Sequence, residues 1–475
     1  MDQLIYINGQ WTGASLDKIP VQNPATSQII GTVPKAGKKE TRDAIDAAHS
    51  AFASWSRLTA YERSDYLEKY YHLIIDNMNE IASILTLEMG KPLAEAKGEV
   101  RYSASFIKWF AEEGKRVYGR TIPSHVDGKE MLVLKAPVGV VAAITPWNFP
   151  AAMITRKMGP ALAAGCTIVL KPAKQTPLTA IMLVKLAEQA GIPKGVVNLV
   201  TGNAAEIGGE FLSNPKVRKV TFTGSTEIGK ELMIQAAQHV KNLSLELGGH
   251  APILILDDAN VDKAVKCVIA SKFRNGGQTC ICGNRVYVQD GIYNQFLEKL
   301  VHETQQLKVG NGMDDGVDIG PLIDKNGFLK VEEHVHNATS LGAKCWVGGS
   351  RKEVQEDAYY YTPTVLSDVT QEMLIMNEET FGPVLPIQKV STVEEAIAYA
   401  NLTPYGLAAY VFTESHSLGM NVIHQLDFGI IGWNDGLPSA AQAPFGGMKE
   451  SGLGREGGIE GLEAFLETKY VSIGL

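Results

Sequence analysis

Lys219-Val220-Thr221-Phe222-Thr223-Gly224-Ser225-Thr226-Glu227-Ile228-Gly229 reads as a strand, a tight turn at Gly224-Ser225 and the start of a helix. The alternation repeats outward from it. Val138–Ile144, Thr167–Lys171, Val196–Thr201 and Val217–Thr223 are β-rich runs, and 151–164, 177–190, 204–212 and 226–239 read as helices. Strand alternating with helix implies a parallel sheet with helices on its faces. Dinucleotide-binding folds have this pattern, and so do many others. A helix N-terminus behind a glycine turn offers free backbone N–H groups and its dipole to a phosphate. The stretch has only Gly224 and Gly229, short of the Gly-x-Gly-x-x-Gly spacing. An ordinary β–α turn reads equally well.

Upstream, residues 4–35 read as short strands, with Asn8-Gly9 a hairpin turn before Trp11. From about 39 to 117 the pattern is helical: Ala44, Ile45, Ala48 and Phe52 share one face, and Gly90-Lys91-Pro92 stops a helix. Residues 121–137 look extended, with Met131–Leu134 a strand ending before Pro137. Beyond Gly248-Gly249 a second α/β pattern begins. Its strands fall at Ala251–Leu256, Arg285–Val288, Lys344–Val347 and Val384–Val390, its helices at 260–274, 291–307 and 325–341. The tail Tyr470–Leu475 reads as an edge strand or one added to another subunit's sheet.

A chain of 475 residues is too long for one compact core, so two or more domains are expected. Hydrophobic content of 45% and charged content of 20% are those of a globular enzyme. A formal net charge of -8 without a long basic run argues against nucleic acid as partner. No apolar run reaches the roughly 18 residues of a membrane-spanning helix. The N-terminus lacks the pattern of a secretory signal, and five cysteines are few and odd in number. A reducing cytoplasm is the expectation.

Several residues point to chemistry. Lys272-Phe273-Arg274-Asn275-Gly276-Gly277-Gln278-Thr279-Cys280-Ile281-Cys282-Gly283-Asn284 sets Cys280 after a glycine pair among polar residues, the setting of a thiol meant to be reached. Glu246 stands between two leucines before Gly248-Gly249. Desolvation would lift its pKa toward that of a general base; a buried ion pair is the plainer alternative. Asn148, in Thr145-Pro146-Trp147-Asn148-Phe149-Pro150, has its turn fixed by two prolines, as an oxyanion donor requires, although Asn beside Pro is common in turns. Lys171 ends an apolar strand, either as a cofactor ligand or as a solvated strand end. Glu378-Glu379-Thr380-Phe381-Gly382-Pro383 reads as a helix end, and the glycine-dense Pro444–Glu456 as a mobile loop.

Together these motifs resemble the NAD(P)-dependent aldehyde dehydrogenases, in the family's order and over nearly the whole chain. The resemblance implies a Rossmann-type cofactor domain (1–120 and 138–249), an α/β catalytic domain (250–457) and a small β oligomerisation arm (121–137 and 458–475). It implies Cys280 as nucleophile, Glu246 as base, and Asn148 with the Cys280 N–H as oxyanion hole. Lys171 and Glu379 would hold the nicotinamide-side ribose, Gly224 and Ser225 the pyrophosphate, and Trp147 and Phe381 the cleft walls. No metal enters this reading, and a homo-oligomer, dimer or tetramer, is expected.

Phe273–Cys282, Met153–Lys157 and the ending Lys469–Leu475 are most similar to succinate-semialdehyde dehydrogenases. That likeness implies Arg156, Arg274 and Ser439 on the distal carboxylate of the substrate, with glutarate semialdehyde or a broad aldehyde range as alternatives. It also implies that Cys280 and Cys282 can form a disulfide that blocks the site. Strictly NAD-using relatives often carry Glu where this chain has Lys174, and a lysine attracts a 2′-phosphate. NADP is therefore the expected cofactor, with NAD also accepted.

Overall fold

A computed structural model describes residues 3–475. Asn8 and Gly9 both take positive φ, 51° and 76°, the primed-turn geometry that suits a two-residue hairpin. They pair Ile5–Ile7 with Gln10–Thr12. The helices Lys38–Trp55, Ala60–Asp76, Met78–Met89 and Leu93–Glu113 follow. Gly90 ends the third in a left-handed conformation, its N–H donating to the Thr86 carbonyl.

The first sheet has eight strands, in the order Gly452–Leu453, Asn242–Glu246, Val217–Thr223, Val140–Ile144, Thr167–Lys171, Val197–Leu199, Ile5–Ile7 and Gln10–Thr12. The five inner strands are parallel and the outer ones antiparallel. Val141, Ala143, Ile168 and Leu170 pack into one core, while Val140, Ala142, Val169 and Val220 pack into another. Alternate residues of a strand point to opposite faces, so this sheet is buried on both.

Chain order reverses beside Val140–Ile144. The chain moves outward to Thr167–Lys171 and Val197–Leu199, then returns to place Val217–Thr223 on the other side. The crevice beyond the carboxyl ends of strands at such a switch point is where open α/β sheets bind ligands.

A second sheet of seven strands runs Lys344–Val347, Thr364–Ser367, Val384–Val390, Gly283–Gln289, Ala251–Ile255, Ala408–Phe412 and Ile430–Trp433. It is parallel except for its first pair. Arg120–Ile122, Lys129–Pro137 and Leu466–Gly474 form a separate antiparallel sheet. Among the described residues, no helix is long and apolar enough to cross a membrane.

The structure departs from expectation at three places. Pro137 belongs to its strand as the last residue, opposite Leu466, where a missing N–H costs little. The tail strand begins at Leu466 rather than Tyr470, because it pairs along the whole of Lys129–Pro137. Gly452–Leu453, within the stretch 250–457, pairs instead with Asn242–Glu246 of the first sheet. Gly452 makes that approach possible: at φ 141° a Cβ would stand 2.0 Å from the Leu245 carbonyl oxygen.

Candidate active site

After the helix Val261–Phe273 the backbone reverses through Asn275, Gly276 and Gly277, all at positive φ. A Cβ at Gly277 would lie 2.1 Å from the Gly382 oxygen, so glycine is required there. Asn275 fastens the turn. Its N–H donates to the Glu95 carboxylate at 2.8 Å and its amide donates to the Asn148 and Gln278 oxygens at 3.0 and 3.1 Å. Cys280 follows, half-buried.

Cys280 stands where two cavities meet. One, of about 300 Å³, is lined by Tyr102, Phe149, Arg156, Arg274, Ser439 and Phe445 among others. The other, of about 220 Å³, lies at the switch point of the first sheet and is lined by Trp147, Asn148, Gly224, Ser225, Glu379 and Phe381 among others. Residues from the ends of both sheets thus converge on one sulfur.

Buried polar groups are ordinarily hydrogen-bonded. Around the first cavity, Arg156 Nη2 and Arg274 Nε have no hydrogen-bond partner among the described residues, and the Tyr102 hydroxyl has its side-chain partner in Ser439. Arg156 is not free, however. Its Nε lies 3.0 Å from Glu456 Oε2, and Phe445 covers its guanidinium at 3.8 Å. Glu456 also pairs with Lys157, and these two cations outweigh burial to hold its carboxyl below the ordinary value.

Burial lifts Glu246 well above the usual carboxylate range, and Glu456 adds to the rise against Arg156 and Lys157. Its Oε2 is without a partner among the described residues. Burial likewise pushes the Cys280 thiol up to about 12, opposed chiefly by Arg156. Burial brings Glu379 up to about 7, although the Gly249 N–H, 3.2 Å from Oε1, pulls the other way.

Asn148 donates from Nδ2 to the Gln278 oxygen at 3.1 Å. Its carbonyl receives Lys91 Nζ at 2.8 Å, and Lys91 is paired at 2.6 Å with Glu99, buried like itself. Glu99 in turn accepts the N–H groups of Ala151 and Ala152. One buried ion pair therefore pins both ends of the turn that carries Asn148.

Four expected residues line neither cavity. Glu246 sits at the end of its strand, where a Cβ on Gly446 would come within 2.8 Å of its Oε1. Lys171 is buried, brought down to about 8 by burial and by Lys174, and Nζ donates to the Pro172 carbonyl at 3.3 Å. Lys174 lines a different cavity, with Glu88 and Asp324. Cys282 is a free buried thiol turned toward Lys272, Gly277 and Asn284.

The stretch Pro444–Glu456, expected to be mobile, is tied down. Ser451 Oγ donates to the Gly248 carbonyl at 2.7 Å and accepts the Gly406 N–H at 2.9 Å. Its glycines permit these close approaches. Lys91, Glu99, Tyr102 and Glu456 were not singled out in the sequence; the signal for Glu99 was an acid interrupting the apolar face Ala96, Val100, Ile107 and Phe110.

The aldehyde dehydrogenase family profile matches residues 11–471. This chain belongs to the aldehyde dehydrogenase family. It is 54% identical to the glutarate-semialdehyde dehydrogenase of Pseudomonas putida, over 99% of this chain and 98% of that protein. It is also 54% identical to an NADP(+) succinate-semialdehyde dehydrogenase of Escherichia coli, over 100% and 98%. The crystal structure of an NADP-dependent enzyme of Escherichia coli superposes with a TM-score of 0.98 at 53% identity, covering 100% of this chain and 98% of that one.

The second cavity of this aldehyde dehydrogenase suits a nicotinamide dinucleotide. Ser225 caps the helix Thr226–Ala236, so the open N–H groups of that helix face the cleft opposite the Glu379 carboxylate. Trp147 and Phe381 meet edge to face at 5.5 Å beside it. At Gly248 a Cβ would come within 3.2 Å of Glu379 Oε2, crowding the cleft.

Gly249 gives a direct test of how closely Cys280 is placed. A Cβ there would stand 2.3 Å from the Cys280 carbonyl oxygen. Gly249→Ala is expected to displace Cys280 and lower kcat/KM about a hundredfold. Thiol counting with a disulfide reagent should still find Cys280; an unchanged kcat/KM would contradict the placement.

Proposed function

We propose that this enzyme oxidises succinate semialdehyde to succinate, with NADP as preferred acceptor and NAD also used. The carrying observation is a pair of guanidiniums, each with a buried nitrogen left without a partner among the described residues (Arg156 Nη2 and Arg274 Nε), beside the Tyr102 and Ser439 hydroxyls around the cavity that opens on Cys280. A carboxylate offers about four lone-pair sites, and a guanidinium pairs with it well. A distal carboxylate bound there would leave the aldehyde carbon at the sulfur. The names of the relatives, succinate- and glutarate-semialdehyde dehydrogenases, agree with this reading.

In the mechanism, the Cys280 thiol rests protonated, since burial pushes it up to about 12. Its proton passes to a solvent water as the sulfur attacks the aldehyde carbon, and the new C–S bond leaves the carbonyl oxygen as the oxyanion of a thiohemiacetal. Asn148 Nδ2 and the Cys280 backbone N–H stabilise the oxyanion. A nicotinamide held in the second cavity would supply the hydride acceptor for oxidation of the adduct to a thioester. Glu246, its basicity raised by burial, then takes a proton from the water that releases the acid. Ser225 and Gly224 would hold the pyrophosphate, Lys171 and Glu379 the nicotinamide-side ribose, and Lys174, from the neighbouring cavity, the 2′-phosphate.

Gly98 favours a second substrate, glutarate semialdehyde. It lines the cavity, and a Cβ there would meet nothing within 4 Å. One methylene changes discrimination by only about 1–3 kcal/mol. The five free cysteines support a cytoplasmic location. The open edge of Leu466–Gly474, with Tyr470 exposed, supports assembly through that arm into a dimer or tetramer. The three larger sheets, each separate from the others, support a division into a cofactor domain, a catalytic domain and an arm (121–137 with 458–475).

Initial rates with succinate semialdehyde, glutarate semialdehyde and propanal, each with NADP and NAD, test this reading. Arg274→Ala is expected to cost about a hundredfold in kcat/KM for the carboxylate-bearing aldehydes and little for propanal. Equal rates with propanal in the unaltered enzyme would overturn it, and a tenfold preference for NAD would overturn the cofactor assignment.

Cofactor affinity should depend on pH in two directions. The Glu379 carboxylate accepts ribose hydroxyls when ionised, a contribution lost as pH falls through about 7. The Lys171 cation is lost as pH rises through about 8. NADP should therefore bind most tightly between these values, as measured by titration at equilibrium; an affinity constant across the range would contradict both roles.

A further inference from the structure

The helix Lys325–Ser340 lines neither cavity beside Cys280. One face of it nevertheless meets the segment carrying Glu379 and Phe381 at three successive points. Asn337 Oδ1 accepts the Leu374 N–H at 2.9 Å, at the start of the short helix Leu374–Asn377. His334 Nδ1 lies 3.1 Å from Thr380 Oγ1, and its Nε2 lies 3.5 Å from Glu378 Oε2. Val331 packs on Gly382, where a Cβ would stand 2.3 Å from Val331 Cγ2. Residues three apart in a helix share a face, so Val331, His334 and Asn337 form one row. Gly277 of the nucleophile loop closes on Gly382 as well. The segment 374–382 is thus held between that row and the nucleophile loop.

Within this clamp, His334 and Thr380 are both about 1% exposed, so their contact is sheltered from water. A neutral imidazole is satisfied there at both nitrogens. Nε2–H faces the Glu378 carboxylate, and Nδ1 accepts the Thr380 hydroxyl proton. The next residue, Phe381, holds φ at 54°, a left-handed conformation that an aromatic side chain rarely adopts. Such a conformation persists only where its surroundings over-determine it. The bond from His334 to Thr380 ties down the residue immediately before that turn.

We propose that His334, acting through Thr380, is a positioning residue that aims the Glu379 carboxylate and the Phe381 ring into the dinucleotide cleft. It sets cofactor affinity without touching the cofactor. This inference rests on Glu379 being a cofactor ligand.

The test is equilibrium binding of NADP, followed by tryptophan fluorescence, alongside KM values and thermal midpoints. Thr380→Val removes the hydroxyl while keeping the shape, and is expected to weaken NADP binding about tenfold, the loss of one well-placed hydrogen bond. His334→Leu should match it. Thr380→Ser, which retains the hydroxyl, should bind NADP within about twofold of the unaltered enzyme, the scatter of a single contact. The KM for the aldehyde and the rate of Cys280 alkylation should hold in all three. NADP affinity unchanged in both Thr380→Val and His334→Leu, even with a lowered thermal midpoint, would overturn the inference and leave the bond a purely structural one. Glu379→Gln separates the two levels: if it leaves NADP affinity unchanged, the cofactor role of Glu379 itself falls, and the positioning role with it.

Discussion

Two cations from one helix, Arg156 and Lys157, are buried with a single carboxylate, Glu456. Charges are buried at a large desolvation cost unless they are paired, and removing one partner of such a group is strongly destabilising. Glu456 is therefore fixed in place, and the glycine-rich stretch that carries it is fixed as well. Gly446 is thereby brought against Glu246, and Gly452 against the strand that Glu246 ends. Two cations on one anion leave a net positive charge beside Cys280. This is the charge that opposes the burial of a thiolate and that a substrate carboxylate would meet.

The fold delivers the remaining groups from two directions. The first sheet sends Trp147 and Asn148 from one strand end, and Gly224 and Ser225 from its neighbour across the switch point. The second sheet and its preceding helix send Cys280. The two halves are sewn together at Asn148, whose carbonyl receives Lys91 and Asn275 and whose amide reaches Gln278. Most of these ties are buried polar bonds that would be costly to leave unmade. Such a junction holds Cys280 in register with Asn148 before any substrate arrives, as the proposed nucleophile and oxyanion donor require.

Much of this was legible in the sequence, for identifiable reasons. The alternation of strand and helix from Val138 to His239 has a strong period, and Thr167–Lys171 and Val217–Thr223 fall at the boundaries read from it. Cys280, Asn148 and Glu379 stand in local contexts odd enough to notice. Glu456 does not, because its partners are 299 and 300 positions away and no local pattern encodes such a pairing. Tyr102 and Glu99 sit on a helix whose apolar stripe hides them. The strands Ala408–Phe412 and Ile430–Trp433 are short apolar runs, which periodicity cannot tell from buried helix. The glycine-rich loop misleads for the opposite reason: its glycines permit close packing rather than motion.

If Cys280 carries the acyl group and Glu246 activates the water that removes it, a Glu246→Gln enzyme should stall at the thioester. The most direct measurement is the mass of the Cys280 peptide after Glu246→Gln enzyme is mixed with succinate semialdehyde and NADP and quenched in acid. One succinyl thioester should accumulate on Cys280, with a single turnover of NADPH. An unmodified Cys280 after that turnover, or an acyl group on Cys282 instead, would contradict it.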